Sequence, residues 1–382
     1  REFFIPFCTS YINSIIVNAT RTSCERGTFN KVGIKWHAGG AQRYAEEMHF
    51  GDIDYYVYEG DFRGLDTTIS KNFLELYTQM AQVYINDEHD RDLYDAMLSW
   101  VSDKLAVKLC RIIGNFWVWM HGKMPSGDAQ TSSGNSWIVG LLYFTYVAQQ
   151  MRMNPRVAPV ILDHLKKKKL IASFYGDDHN ISVHKDLIKY INIEGFARYV
   201  AKHGMEIKKD SMRCTHGLSR VDINENLVEF GSVFLKRYFI YKPSYYHPGV
   251  DIVPFRPLGD YFHKVAFSRG NTMEALAATL IGLAYDSFGT NTRAYEFLQG
   301  LYLLIKKIHP DVESKLGEVI KTRNPLFAKF KLRLGLVGTD FVGFPSLETL
   351  LRRHEKKVLL HEMNKVPMEW SEYVRINEDE EE

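Results

Sequence analysis

Leu170-Ile171-Ala172-Ser173-Phe174-Tyr175-Gly176-Asp177-Asp178-His179-Asn180-Ile181-Ser182-Val183 is the stretch from which the rest of the chain is read. Two apolar, strand-like runs flank Gly176-Asp177-Asp178, and Gly-Asp is turn chemistry, so the pattern predicts a hairpin with two carboxylates at its tip. Adjacent like charges repel, and a rigid turn that carries them usually serves a cation; the bland alternative is an exposed turn whose aspartates only favour the bend.

The surrounding composition is that of a globular protein. With 382 residues, 45% hydrophobic and 13% aromatic, the chain can bury a large core and accommodate two or three subdomains. Lys and Arg number 48 against 46 Asp and Glu, a net charge of +2, so any nucleic-acid-binding surface has to be local. Cys8, Cys24, Cys110 and Cys214 are widely spaced and form no C-x-x-C pair, which argues against a zinc finger or a disulfide scaffold and for a reducing compartment. The longest apolar run, Trp137 to Phe144, is too short to span a bilayer and reads as a buried helix. The start shows no signal peptide, and Arg1 in place of methionine is expected of a piece cut from a longer chain.

Upstream of the hairpin, a helix is expected near Tyr11–Val17 and another ending near His49. The apolar run Tyr55–Phe62 is strand-like and stops at Gly60-Asp61, followed by turn residues and a helical spacing from Asn72 to Tyr84. Asp61 thus sits where a buried strand ends, a usual place for chemistry, unless it only caps the next turn. Asn115–Met120 is an aromatic hairpin candidate. Met124 to Ser136 is rich in small and hydroxylated residues and reads as a mobile loop entering a helix from Trp137 to Gln149. That entrance either offers hydroxyl, amide and N–H donors to a polar or anionic group or is an extended cap built on Ser132 or Ser133.

Lys166–Lys169 forms either a solvated face or a phosphate contact. Downstream, Leu187–His203 reads as a helix, Gly204–Asp210 as a turn into a short strand, and Glu229–Ile240 as a hairpin with Lys236 and Arg237 at its bend. Pro243, Pro248, Pro254 and Pro257 then punctuate a loop-rich linker. Helical patterns follow over 272–288, 292–308, 310–321 and 346–358, placing a domain boundary near residue 240. The last residues, Asn377 to Glu382, read as a solvated acidic tail.

Taken together, these stretches resemble the palm motifs of viral RNA-dependent RNA polymerases, most closely those of the picornavirus-like group of positive-strand RNA viruses. Asp61-x-x-x-x-Asp66 is similar to the first motif, Ser126-Gly127 with Thr131 and Asn135 to the second, Tyr175-Gly176-Asp177-Asp178 to the third, and Phe234-Leu235-Lys236-Arg237 to the primer-grip turn. The motifs stand in the family's order across about half the chain. The resemblance implies Asp61 and Asp177, supported by Asp178, as ligands of two Mg²⁺ ions, with Mn²⁺ as a possible substitute. Hard cations prefer carboxylates, and two of them suit an in-line displacement at phosphorus.

By the same resemblance Asp66, Ser126, Gly127 and Asn135, buttressed by Thr131, select ribonucleotides. A site built to pair a 2′-hydroxyl rejects a sugar that lacks it. Reverse transcriptases carry a bulky residue at the position of Asp66, which argues for RNA as product. Lys236 and Arg237 are implied near the primer or product backbone. In the fourth palm motif Met212 falls near the family's general-acid lysine, leaving Lys209 and Lys208 as candidates. The basic finger motif that grips the triphosphate is expected just upstream of Arg1.

The resemblance therefore implies an α+β, right-hand polymerase. Its parts are partial fingers at 1–50, an antiparallel-sheet palm at 51–84 and 126–240, a fingers insertion at 85–125, and a helical thumb at 241–382 ending in the acidic tail. Expected partners are RNA template and primer or product, nucleoside triphosphates and other viral replication proteins, in membrane-associated replication complexes of the host cytoplasm. The rivals are a non-catalytic remnant that only binds RNA, and a reverse transcriptase.

Overall fold

The computed structural model describes residues 29–37, 39–83, 91–113, 115–124, 131–243, 249–268, 272–316 and 343–352. The expected helix over Tyr11–Val17, together with Cys8, Cys24, Ser126 and Gly127, lies outside them. The chain divides into two compact units: Arg1–Ile34, Tyr44–Asp222 and Leu227–Ile240 form the first, and Lys35–Arg43, Ile223–Asn226 and Tyr241–Glu382 the second.

In chain order the first unit carries β1 (Tyr55–Gly60), α1 (Leu65–Thr68), α2 (Lys71–Val83), α3 (Arg91–Ala106), β2 (Val107–Ile113) and β3 (Phe116–His121). There follow α4 (Thr131–Met153), α5 (Ala158–Lys166), β4 (Leu170–Tyr175), β5 (Asp178–His184), α6 (Ile193–Ala201), β6 (Arg213–Thr215), β7 (Arg220–Val221) and β8 (Leu227–Glu229). The helix expected to end near His49 runs Gly40–Glu47.

An antiparallel sheet in the order β4-β5-β1-β6 is the centre of this unit. The expected hairpin is β4 and β5, joined by Gly176-Asp177 with Tyr175 paired to Asp178. Gly176 has φ 66°, a left-handed value that a two-residue hairpin with glycine at its first loop position requires. A side chain there would meet nothing within 4 Å, so backbone conformation rather than space explains the glycine.

Five of the six residues of β4 are buried, so both faces are covered and its apolar run is continuous rather than alternating. On one face Phe174 packs against Tyr143 of α4 with ring centroids 5.8 Å apart. Ser173 Oγ, one residue earlier and on the other face, lies 3.2 Å from Met48 Sδ. Phe174, Tyr143, Phe196 and Ile138 are among the fully buried side chains of this core, each contributing about 1.5–3 kcal/mol of apolar burial.

Three segments differ from the sequence expectation. Helix α4 begins at Thr131, six residues before Trp137, so Ser132 and Ser133 lie inside it rather than capping it. Ser133, Gly134, Asn135 and Ser136 are all buried there, held by polar contacts that apolar periodicity does not register. Between Leu187 and His203 the helix is only Ile193–Ala201, because Asn192 caps it by accepting the Gly195 N–H at 2.8 Å. In Glu229–Ile240, β8 pairs backward with β7, and the bend is a tight turn over Phe234–Arg237. The aromatic hairpin forms as expected, as β2 paired with β3.

The second unit contains α7 (Leu258–Ala266), α8 (Met273–Ser287), α9 (Thr292–Ile308) and α10 (Leu347–Arg352). Their apolar faces meet around Tyr261, Leu280, Ala284, Leu298 and Tyr302. Thr272 caps α8 by accepting the Ala275 N–H at 3.2 Å, and Asn291 caps α9 by accepting that of Ala294 at 2.9 Å.

Candidate active site

The register of the sheet brings a strand end to the hairpin tip. Gly60, the last residue of β1, faces His179 of β5, so Asp61 follows where the strand leaves the sheet, one residue beyond the partner of His179. Burial first, then Asp177 and Asp61, push the Asp178 carboxyl up to about 6, with Lys236 pulling the other way. Asp177 is exposed at the tip and Asp178 half-buried beneath it. His179 is buried, its Nδ1–H donates to the Asp177 carbonyl at 3.1 Å, and burial lowers its ring to about 4, so it stays neutral.

Asp61 is held from behind. Its N–H donates to Ser211 Oγ at 2.8 Å, its carbonyl accepts the Lys208 N–H at 2.9 Å, and its Oδ2 pairs with Lys208 Nζ. That hydrogen bond and the carboxylate's charge raise the Lys208 ammonium above its ordinary value. Of the two candidate lysines, then, Lys208 reaches the strand-end carboxylate, whereas Lys209 opens a 3₁₀ turn over Lys209–Ser211. Neither Lys208 as a partner of Asp61 nor Ser211 as its support was legible from spacing, because the antiparallel bridge of Phe62 with Ile207 is what aligns the two segments.

Asp66 lies in the short helix α1, and Asn135 in the second turn of α4 donates from Nδ2 to Asp66 Oδ1 at 2.5 Å. Asn135 is only 5% exposed, and its own Oδ1 is buried without a hydrogen-bond partner. An unfilled buried acceptor beside a carboxylate suits a ligand that donates a hydroxyl. Thr131 is the first residue of α4. Next to Asn135, Ser136 ties the helix to the hairpin: its Oγ accepts the Gly176 N–H at 2.7 Å. Sequence reading passed over Ser136, although a small hydroxylated residue in an otherwise apolar helical run was the available signal.

Lys236 is exposed and near enough to Asp178 to pull its carboxyl down. Arg237, expected beside it on a charged bend, is instead buried at 4% exposure. Phe234 and Arg237 exchange backbone hydrogen bonds of 3.0 and 3.1 Å around Leu235 and Lys236, both at positive φ. Arg237 thereby begins the returning segment inside the unit, and Lys236 alone remains at the tip. Glu59 is a further buried carboxylate: burial pushes it up to about 7, and its Oε2 accepts the Val233 N–H at 2.6 Å.

Asp61, Asp177 and Asp178 are hard oxygen donors, and burial first, then the neighbouring Asp177 and Asp61, raise the Asp178 carboxyl. By donor type the three suit a divalent cation, although their carboxylate oxygens are not gathered within 4.8 Å of one another. Residues 16–251 match the family model of the viral RNA-dependent RNA polymerase. The chain belongs to that family. A comparison with curated protein sequences returned no match.

The polymerase is an RNA-directed RNA polymerase, a nucleotidyltransferase that makes RNA on an RNA template, with RNA and nucleotides as its partners. The family implies a right-hand polymerase and the use of divalent metal ions, and its membership does not favour a non-catalytic remnant. The mixed helical and antiparallel-sheet structure accords with that build. Among the described residues no helix is long and apolar enough to cross a membrane.

Proposed function

We propose that Asp61, Asp177 and Asp178 form the catalytic centre of a polymerase of the picornavirus-like, positive-strand group, with Asp61 and Asp177 as the principal ligands of two Mg²⁺ ions and Asp178 in support. The observation that carries this reading is the pairing of Gly60 with His179, which ends β1 beside the Gly-Asp-Asp hairpin, where Asp177 and Asp61 both act on the Asp178 carboxyl. When bound, such ions supply charge to the attacking 3′ oxygen and the leaving pyrophosphate; Mn²⁺ offers the same oxygen-seeking chemistry.

The chain's own residues position the rest. Asn135 keeps its Oδ1 for the 2′-hydroxyl of an incoming ribonucleotide while its amide holds Asp66, and Ser126, Gly127 and Thr131 complete the sugar site. Lys236 meets the primer or product backbone, with buried Arg237 bracing the turn. Lys208, kept protonated by Asp61, is the better placed of the two lysines to give a proton to the leaving pyrophosphate.

In this reading 51–84 and 126–240 are palm, 1–50 partial fingers, 85–125 a fingers insertion and 241–382 the thumb. The enzyme works with other viral replication proteins in membrane-associated complexes of the host cytoplasm. Asp177→Asn changes a ligand without changing volume and tests the assignment: nucleotide incorporation should be nearly abolished with the thermal unfolding midpoint retained. Incorporation at the unmodified rate would refute it.

A further inference from the structure

At the other end of the same hairpin, where β5 runs from Asp178 to His184, a second group of ligating side chains converges. One ring nitrogen each of His164 and His184 and a carboxylate oxygen of Asp186 all lie within 4.8 Å of one another. Among the described residues no other trio of His, Cys, Asp or Glu is gathered so closely. The geometry points to a metal site here, distinct from the carboxylate centre, that binds one dication of the zinc class and clamps α5 to the base of the β4–β5 hairpin.

His164 is the observation that asks for a ligand. It sits in the last turn of α5, is 6% exposed, and its Nδ1 is buried without a hydrogen-bond partner. Leaving a buried polar atom unpaired costs about 1–3 kcal/mol, so native interiors rarely keep one without a use.

The other two donors are arranged around it. The His164 and His184 rings meet edge to face with centroids 5.2 Å apart. His184 Nδ1 lies 3.1 Å from Asp186 Oδ2, within the range of two donors on one ion. At zinc bond lengths of about 2.0–2.1 Å, tetrahedral donors are about 3.3 Å apart, so the donors, all within 4.8 Å of one another, have to close by at most about 1.5 Å. Asp186, 58% exposed and part of a 3₁₀ turn over Lys185–Leu187, is the side chain able to make that movement. The same exposure opens a path for the ion and a place for water as fourth ligand.

Ligand type separates the two centres. Two imidazoles with one carboxylate suit zinc and its neighbours, whereas Mg²⁺ favours oxygen donors and binds weakly through nitrogen. The site stands independently of the polymerase assignment. The competing account is a plain His184–Asp186 ion pair, which leaves the His164 nitrogen unused and gives no response to zinc.

The test is calorimetric titration of the metal-stripped polymerase with Zn²⁺ in the presence of millimolar Mg²⁺, paired with thermal unfolding and with the visible spectrum of the Co²⁺ form. One zinc per chain should bind and raise the unfolding midpoint, also in Asp177→Asn, and Co²⁺ should show the intense bands of a four-coordinate site. Asp186→Asn, at an exposed position, should weaken zinc binding by more than the roughly 10–100-fold that losing a mere hydrogen-bond partner of a ligand costs. His164→Gln should abolish it. No one-to-one binding, or binding of equal strength in both variants, would overturn the site; if His164→Gln does not fold, Asp186→Asn and the Co²⁺ spectrum decide.

Discussion

Ser136 Oγ accepts the Gly176 N–H at 2.7 Å while donating to the Ser132 carbonyl at 2.6 Å, so a single hydroxyl joins helix α4 to the turn that presents Asp177. The helix that carries Asn135 and the hairpin that carries Asp177 and Asp178 are therefore one mechanical unit. Ser136→Ala leaves the Gly176 N–H buried and unpaired, which should lower stability by about 1–3 kcal/mol in denaturant unfolding. Nucleotide incorporation at permissive temperature should fall as well, because the turn loses its anchor.

Asn135 holds Asp66 with its amide and keeps an unfilled acceptor beside it. Asn135→Ala removes both, so the preference for ribo- over deoxyribonucleotides, measured as a ratio of kcat/KM values, should shrink by about 10–100-fold. The loss should fall mainly on ribonucleotides, with deoxyribonucleotide use little changed.

Lys208 pairs with Asp61, and Lys209 does not. Both partners of that pair are substantially exposed, so Lys208→Met should change stability by less than about 1 kcal/mol. If Lys208 delivers the proton to pyrophosphate, single-turnover incorporation should drop by about 10²–10⁴ and the alkaline limb of its pH profile should disappear. Lys209→Met should leave both near their original values.

Glu225 of the second unit supplies a pH signature of stability. Burial pushes its carboxyl up, but the Lys242 ammonium at 2.9 Å and the N–H groups of Thr292 and Arg293 at the start of α9 outweigh that and hold it below its ordinary value. A lowered folded-state pKa contributes stability that is present above the unfolded value, near 4.5, and is lost as pH falls through the folded one. Thermal unfolding of Glu225→Gln and the unmodified chain should accordingly differ most near pH 7 and converge in acid.

The hairpin and the end of β1 at Gly60 were legible because turn chemistry and apolar runs are local signals. The start of α4 was not, since Ser133, Asn135 and Ser136 are polar and buried, and their partners Tyr77, Asp66 and Gly176 lie 40 to 69 residues away in the chain. Distance in sequence also concealed the pairing of Lys208 with Asp61, which the bridge of Phe62 with Ile207 aligns. The paired cations at Lys236-Arg237 misled for a different reason: two consecutive residues of a tight turn need not face the same environment. His164, His184 and Asp186 carry no spacing that announces a ligand set, and only the contact of the His164 ring of α5 with His184 at the end of β5 reveals it.

Primer extension on a homopolymeric RNA template with Mg²⁺, run in parallel with ribo- and deoxyribonucleotides by the viral polymerase that carries this chain, tests the central claim most directly. Template-dependent extension with ribonucleotides alone is the expected result. No extension with either nucleotide while RNA is still bound, or equal extension with both, would contradict it.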